Sequence, residues 1–194
     1  TFDPADNLYD EAELDDRVCD CCQTGAALTA NGPVVVYRDR SEEEIRDIYL
    51  VRRVNGRWTE PAPVHRDGWQ IAGCPVNGPS VVADGQMVAV GWFTAAADSA
   101  QVKVAFSLDG GASFGPPIRV DQGRPLGRVD LIQWTDDEIL ITWLENPESG
   151  AEVMGVRVTP DGIQGNPFTL LTTEASGQSG FHRLVKAGDT IVLS

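Results

Sequence analysis

Two groups of side chains in this 194-residue chain have the types and spacing to do chemistry. The first is sulfur: Cys19-Asp20-Cys21-Cys22 and, well downstream, Cys74 in Gly73-Cys74-Pro75. Such thiols form disulfides in an oxidising compartment, hold a soft metal ion such as copper or zinc as thiolates, or stay reduced and buried. The plain reading is a disulfide from Cys74 to one of Cys19, Cys21 and Cys22, and the spacing leaves the choice open. The second group is ionic. Arg38, Asp39, Arg40, Glu44, Arg46 and Asp47 crowd one short segment, while Arg128 and Arg183 each stand just before an apolar run. A guanidinium fork suits a bidentate carboxylate ligand. The competing reading is that each arginine pairs with Asp39, Asp47 or Asp130 and is structural.

The elements that must position these groups repeat along the chain. Asn31-Gly32, Asp84-Gly85, Asp136-Asp137 and Gly188-Asp189 each lead into an apolar strand, and three of those strands end in an aromatic, at Tyr37, Trp92 and Trp143. The period is roughly 50 residues, in the range of propeller blades. A short apolar strand precedes each turn: 25–28, 79–82, 129–132 and 183–185. An alternating third strand follows at 47–53, 101–107 and 152–158, then a tight turn, then a fourth strand at 57–64, 113–120 and 163–171. Four antiparallel strands per period make a blade. A sandwich or barrel could also use regular short strands, but the fixed register of turn, strand and aromatic favours the propeller. The expected organisation is an acidic arm over 1–17, blades over 18–68, 69–122 and 123–174, and half a fourth over 175–194.

Alternating strand direction divides the loops between two faces. The 1–2 and 3–4 turns share one face, which holds Ser107, Asp109, Gly111 and Phe114. Ser107 and Asp109 are placed to accept hydrogen bonds from their own turn, so Asp109 is expected to be structural. The other face gathers the Arg38–Asp47 loop and the connections carrying Asp67, Trp69, Asn77, Arg128, His182 and Arg183. Arg128 and Arg183, at the starts of innermost strands, should lie near the central axis.

Ser107-Leu108-Asp109-Gly110-Gly111-Ala112-Ser113-Phe114 resembles the Asp-box of the sialidase-like (BNR-repeat) β-propellers. The run 36–58, with Tyr37-Arg38-Asp39-Arg40, the Asp47 loop and Asn55-Gly56-Arg57-Trp58, is similar to the first blade of bacterial sialidases. The resemblance implies an all-β, six-bladed propeller, of which this chain holds about three and a half blades. It implies that Arg40 is a pocket arginine and that Asp47, or alternatively Asp39, is the acid/base. Arg38, Arg46, Arg128 and Arg183 become substrate-binding candidates by position. The sequence departs from the family at its first strand, where 22–28 carries no arginine. The family's tyrosine nucleophile and its glutamate partner would fall after Ser194. The chain by itself is therefore expected to lack strong sialidase activity, and to be completed by further blades or by a second copy.

A net charge of −14 argues against nucleic acid as a partner, because phosphates would be repelled. No apolar run is long enough to span a membrane. The expected ligand is a carbohydrate or another anionic small molecule. No cofactor is expected unless the cysteines hold a metal, and the cysteines suggest an exported protein. The leading expectation is carbohydrate recognition or glycoside hydrolysis at the loop-rich face. The alternatives are a non-catalytic binding or assembly propeller, and a cysteine-linked metal or redox protein on the same scaffold.

Overall fold

The computed structural model describes residues 11–147, 150–173 and 180–194. Its strands fall into four antiparallel sheets. The first holds β1 (Gly25–Thr29), β2 (Gly32–Arg38), β3 (Ile48–Val54), β4 (Arg57–Trp58) and β5 (Ala62–His65). The second holds β6 (Ser80–Asp84), β7 (Met87–Thr94), β8 (Gln101–Ser107) and β9 (Ile118–Arg119). The third holds β10 (Pro125–Gln133), β11 (Ile139–Glu145), β12 (Ala151–Thr159) and β13 (Gly162–Thr173). The fourth pairs β14 (Leu184–Ala187) with β15 (Thr190–Leu193). Strands pair in chain order within each sheet, except that β5 returns to pair with β3, and the first strands lie side by side: β1 by β6, β6 by β10, β10 by β14. These are the blades of an all-β propeller around their innermost strands.

The core lies between blades. Val34, Val36, Ile48 and Leu50 of the first pack against Val88, Val90 and Trp92 of the second. Ala89, Val104 and Phe106 on the second sheet meet Leu131, Ile141 and Val156 of the third. Every residue of β7 is buried, because its sheet is covered on both faces.

The fourth strands of the first two blades are shorter than the sequence pattern predicts, while that of the third, expected over 163–171, runs Gly162–Thr173. The single strand expected over 57–64 is two pieces, β4 and β5, both paired with β3. Pro61 and Pro63 have no N–H to give the ladder. Thr59 holds the break, its N–H donating to Arg52 O at 2.8 Å and its Oγ1 accepting from Arg52 N at 3.1 Å. The strand expected over 113–120 shrinks to Ile118–Arg119. Asp109 draws the amides of Ala112 and Ser113 away from it, and Pro116 and Pro117 supply no donor.

The recurring aromatics share one arrangement. Tyr37 Oη donates to Asp15 Oδ2 at 2.6 Å, Trp92 Nε1 to Asp67 Oδ2 at 2.6 Å, and Trp143 Nε1 to Glu145 Oε2 at 2.5 Å. Each second strand thus ends with a buried ring whose one polar atom meets a carboxylate, which satisfies the donor while the ring fills the core. Burial and the Asp15 bond both hold the Tyr37 proton well above the usual phenol range.

Candidate functional site at the loop face

Two sets of contacts between blades show which loops share a face. On one side Asn31 and Gln86 exchange side-chain hydrogen bonds at 2.9 and 3.1 Å, and Gly110 N–H donates to Gln86 O at 2.8 Å. This is the turn face. Here Ser107 Oγ donates to Asp109 Oδ1 at 2.7 Å and accepts from Gly111 N at 2.8 Å. The Asp109 carboxylate also accepts from the amides of Ala112 and Ser113 and from Ser113 Oγ at 2.6 Å. These bonds push its pKa well below the usual carboxylate range, the Ser113 hydroxyl foremost. Phe114 packs against the core between the first two blades. The whole motif is occupied with its own turn.

The opposite side carries the loop face, and amide side chains order it. Gln23, just before β1, reads the backbone of Gly78: its Nε2 donates to Gly78 O at 3.3 Å and its Oε1 accepts from Gly78 N at 3.0 Å. Asn77, just before β6, does the same one blade on, accepting from Arg128 N at 2.8 Å and donating to Leu126 O at 3.3 Å. Both contacts demand glycine. A Cβ on Gly78 would fall 1.9 Å from Gln23 O, and one on Gly127, at φ +91°, would fall 2.3 Å from Asn77 Oδ1.

The arginines of the first loop separate into two environments. Arg38 is 1% exposed and spends its donors on backbone carbonyls: Nε to Asn77 at 2.8 Å, Nη2 to Phe93 at 2.6 Å and Nη1 to Arg46. Its guanidinium lies 4.8 Å from the Trp69 ring centre, and burial pushes its pKa down to about 9. It ties the first two blades together and presents no free edge to a ligand. Arg40 and Arg46 share Glu44: Arg40 Nη2 meets Oε1 at 2.9 Å and Arg46 Nη2 meets Oε2 at 2.7 Å. The two cations hold Glu44 down to about 2, the hydrogen bond from Arg40 first. Arg46 is 5% exposed, and its buried Nε has no partner. Arg40, Glu44 and Arg46 line a cleft of about 400 Å³ together with Asp20, Cys21 and Cys74.

Asp47 is also buried. Its carboxylate accepts from Gly68 N at 2.9 Å and from Trp69 N at 3.2 Å, so it caps the connection that leaves the first blade. Asp39, half-buried at the end of β2, keeps a carboxyl that burial raises above its usual range.

At the innermost strands Arg183 Nη1 approaches Asp130 Oδ1 at 3.4 Å, and Asp130 also accepts from Ser80 Oγ at 3.0 Å and Leu184 N at 2.7 Å. His182 Nε2 lies 2.9 Å from Thr142 Oγ1, and burial lowers its pKa. Arg128 differs from the others. It takes a left-handed backbone at φ +57°, and its guanidinium stacks 4.3 Å from the Phe181 ring centre. Its guanidinium has no carboxylate partner among the described residues. Glu44 at φ +63° and Val76 at φ +50° share this conformation. Left-handed backbone is costly for non-glycine residues, most of all for a β-branched valine, and such strain gathers at functional sites.

The cysteines are oxidised in the structure. Cys21 is bonded to Cys74, with Cα atoms 6.3 Å apart, and Cys19 to Cys22 at 5.5 Å. Cys74 thus takes Cys21 as its partner among the three open to it, fastening the segment before β1 to the connection before β6.

Sequence reasoning missed Gln23 and Phe181. Gln23 stands one period before Asn77 and carries the same amide, a signal that a repeat alignment exposes. Phe181 leaves no such trace, because its role depends on Arg128 lying across from it.

No family profile and no curated protein sequence matches the chain. Solved structures do. A subtype N10 neuraminidase-like protein of influenza A/little yellow-shouldered bat/Guatemala/060/2010 superposes with a TM-score of 0.55 at 10% identity, over 87% of this chain and 49% of that one. Xylan beta-1,4-xylosidase from Bacillus halodurans C-125 gives 0.52 at 8% identity, over 84% and 34%. A GH32 beta-fructofuranosidase of Bombyx mori gives 0.51 at 12% identity, over 92% and 43%. The chain spans about half or less of each of these proteins. Together with the four sheets and their adjacent inner strands, these matches establish the fold of this chain as that of a β-propeller.

Proposed function

We propose that this chain contributes the recognition of an acidic carbohydrate at the loop face of an exported propeller, with Arg128 as the contact to the sugar's carboxylate. The observation that carries this reading is the Arg128–Phe181 pair. A guanidinium stacked on an aromatic ring keeps its edge available for a planar, bidentate anion. The ring supplies an apolar surface of the kind that a sugar face packs on. The other four candidate arginines are committed elsewhere: Arg38 to carbonyls, Arg40 and Arg46 to Glu44, Arg183 to Asp130. If the whole protein also hydrolyses its ligand, Asp39 is the better proton donor, because its carboxyl is already raised, whereas Asp47 is engaged by two amides. The test is calorimetric titration with sialic acid and glucuronic acid, free and within oligosaccharides. Binding that Arg128→Ala abolishes, with stability unchanged, is the expected result. Binding that survives the substitution, or no binding of any acidic sugar, rejects the reading.

A second reading, a propeller that binds or assembles without catalysis, is favoured by the internal pairing of Arg40, Arg46 and Arg183. It predicts that a protein partner, rather than a sugar, covers the loop face.

A further inference from the structure

Three of the four cysteine sulfurs converge on one place, and the fourth is bonded to one of them. Cys19 Sγ and Cys21 Sγ, which belong to different disulfides, are 3.7 Å apart. The sulfurs of Cys19, Cys21 and Cys22 all lie within 4.8 Å of one another, and Cys74 joins them through its bond to Cys21. In a tetrahedral tetrathiolate zinc site, bonds of about 2.3 Å place the sulfurs about 3.8 Å apart. The one non-bonded contact between the two disulfides already has that length.

We propose that, with both disulfides reduced, Cys19, Cys21, Cys22 and Cys74 form a tetrathiolate site for a zinc ion beside the Arg40–Arg46 cleft. Cys19 and Cys22 have the Cys-x-x-Cys spacing of zinc sites. The backbone already closes that turn, Cys22 N–H donating to Cys19 O at 3.3 Å, while Cys19 N–H donates to Arg38 O at 2.9 Å and anchors the segment on β2. Cys74 supplies the distant fourth ligand, as the second half of a zinc site does. The Cys19–Cys22 disulfide closes a much shorter loop than Cys21–Cys74 and restricts the unfolded chain less.

The surroundings suit the charge. Four thiolates around a divalent ion leave two net negative charges, and thiolate sites are stabilised by nearby donors and cations. Arg40 and Arg46 line the same cleft as Cys21 and Cys74, together with Asp20 and Glu44, and the Arg46 Nε is buried without a partner. Cys21 and Cys74 are exposed, so a dithiol reductant reaches their bond. Each disulfide takes two electrons and two protons from a dithiol, giving two thiols and leaving the reductant as its own disulfide. Zinc then displaces the four thiol protons.

The full chain, reduced with a phosphine under argon and freed of it, should bind one cobalt(II) per chain. The expected signature is the visible band of tetrahedral cobalt with sulfur-to-metal charge transfer, and added zinc should erase it. Cys22→Ser and Cys74→Ser should each weaken binding by more than about tenfold, the order expected for losing part of a coordination shell. No cobalt band, or a band indifferent to Cys74→Ser, overturns the proposal. If the reduced protein does not stay folded, the chain made in a reducing cytosol with zinc supplied and purified without oxygen gives the answer. One zinc per chain with four cysteines protected from alkylation supports the site. Metal-free protein, whether its cysteines are freely alkylated or paired as disulfides, rejects it.

Discussion

The Trp92 indole N–H ends on Asp67 Oδ2 at 2.6 Å, while the Lys103 ammonium holds Oδ1 of the same carboxylate at 2.6 Å. Asp67 comes from the connection after the first blade, and both of its partners from the second. The Asp67 side chain is 2% exposed, so one carboxylate satisfies a buried indole and a partly buried ammonium across a blade boundary.

Asp67→Ala should therefore cost about 3 kcal/mol, the order expected when a buried donor and a cation lose their shared partner. Urea denaturation checks it. A loss below about 1 kcal/mol would mean that water replaces the carboxylate and that the boundary is looser than the distances indicate.

Asp109→Ala should lower stability by about 1 kcal/mol, as the loss of a comparable exposed cap does. Acidic-sugar binding should not change, because the motif lies on the turn face. A large loss of affinity with unaltered thermal stability would place a ligand on the wrong side of the molecule for the reading given above.

The two disulfides should differ in worth. Chain entropy assigns about 4 kcal/mol to Cys21–Cys74, with its sequence separation of 53, and about 2 kcal/mol to Cys19–Cys22, with a separation of 3. Under oxidising conditions Cys74→Ser should lower the unfolding midpoint more than Cys22→Ser. Equal losses would show that the sulfurs re-pair once either bond is gone, and peptide mapping would identify the new link.

His182 gives stability a pH dependence of known sign. Burial lowers its pKa below 6.5, so the unfolded chain binds the proton first as pH falls. Between that pH and the lower folded value, stability rises with pH, and the contribution is complete above pH 6.5. Urea midpoints measured from about pH 7.5 to about pH 5 should fall, and His182→Gln should flatten the slope. An identical slope in the variant would assign the effect to carboxylates instead.

The second and third strands and the hairpin turns were legible because turn residues and aromatics recur in step, at Tyr37, Trp92 and Trp143. The fourth strands of the first two blades were not, because a count of apolar positions ignores what Pro61, Pro63, Pro116 and Pro117 withhold from a ladder. At the candidate site, position alone put Arg128 at the start of an inner strand, but β10 begins at Pro125 and Arg128 lies inside it, where its pairing with β11 shifts register. The sequence held nothing to separate Arg128 from Arg38, which carries the same charge in a row of similar residues. Only the carbonyls of Arg46, Asn77 and Phe93, contributed by three distant segments, show that Arg38 is a buried tie. Asp47 is a similar case. Its acceptor role is set by the amides of Gly68 and Trp69, which come from a connection that no local motif announces.

The amide clips of Gln23 onto Gly78 and of Asn77 onto Leu126 and Arg128 give the molecule an order of assembly. Each connects one blade only to the next in the chain, as in a quasi-one-dimensional array whose cooperativity is a sum of neighbour couplings. Opening should therefore be graded rather than global. The amides of β7, covered on both sides, should exchange with deuterium last, and a defect at Gln23 should loosen the first blade while leaving the seam between the second and third closed.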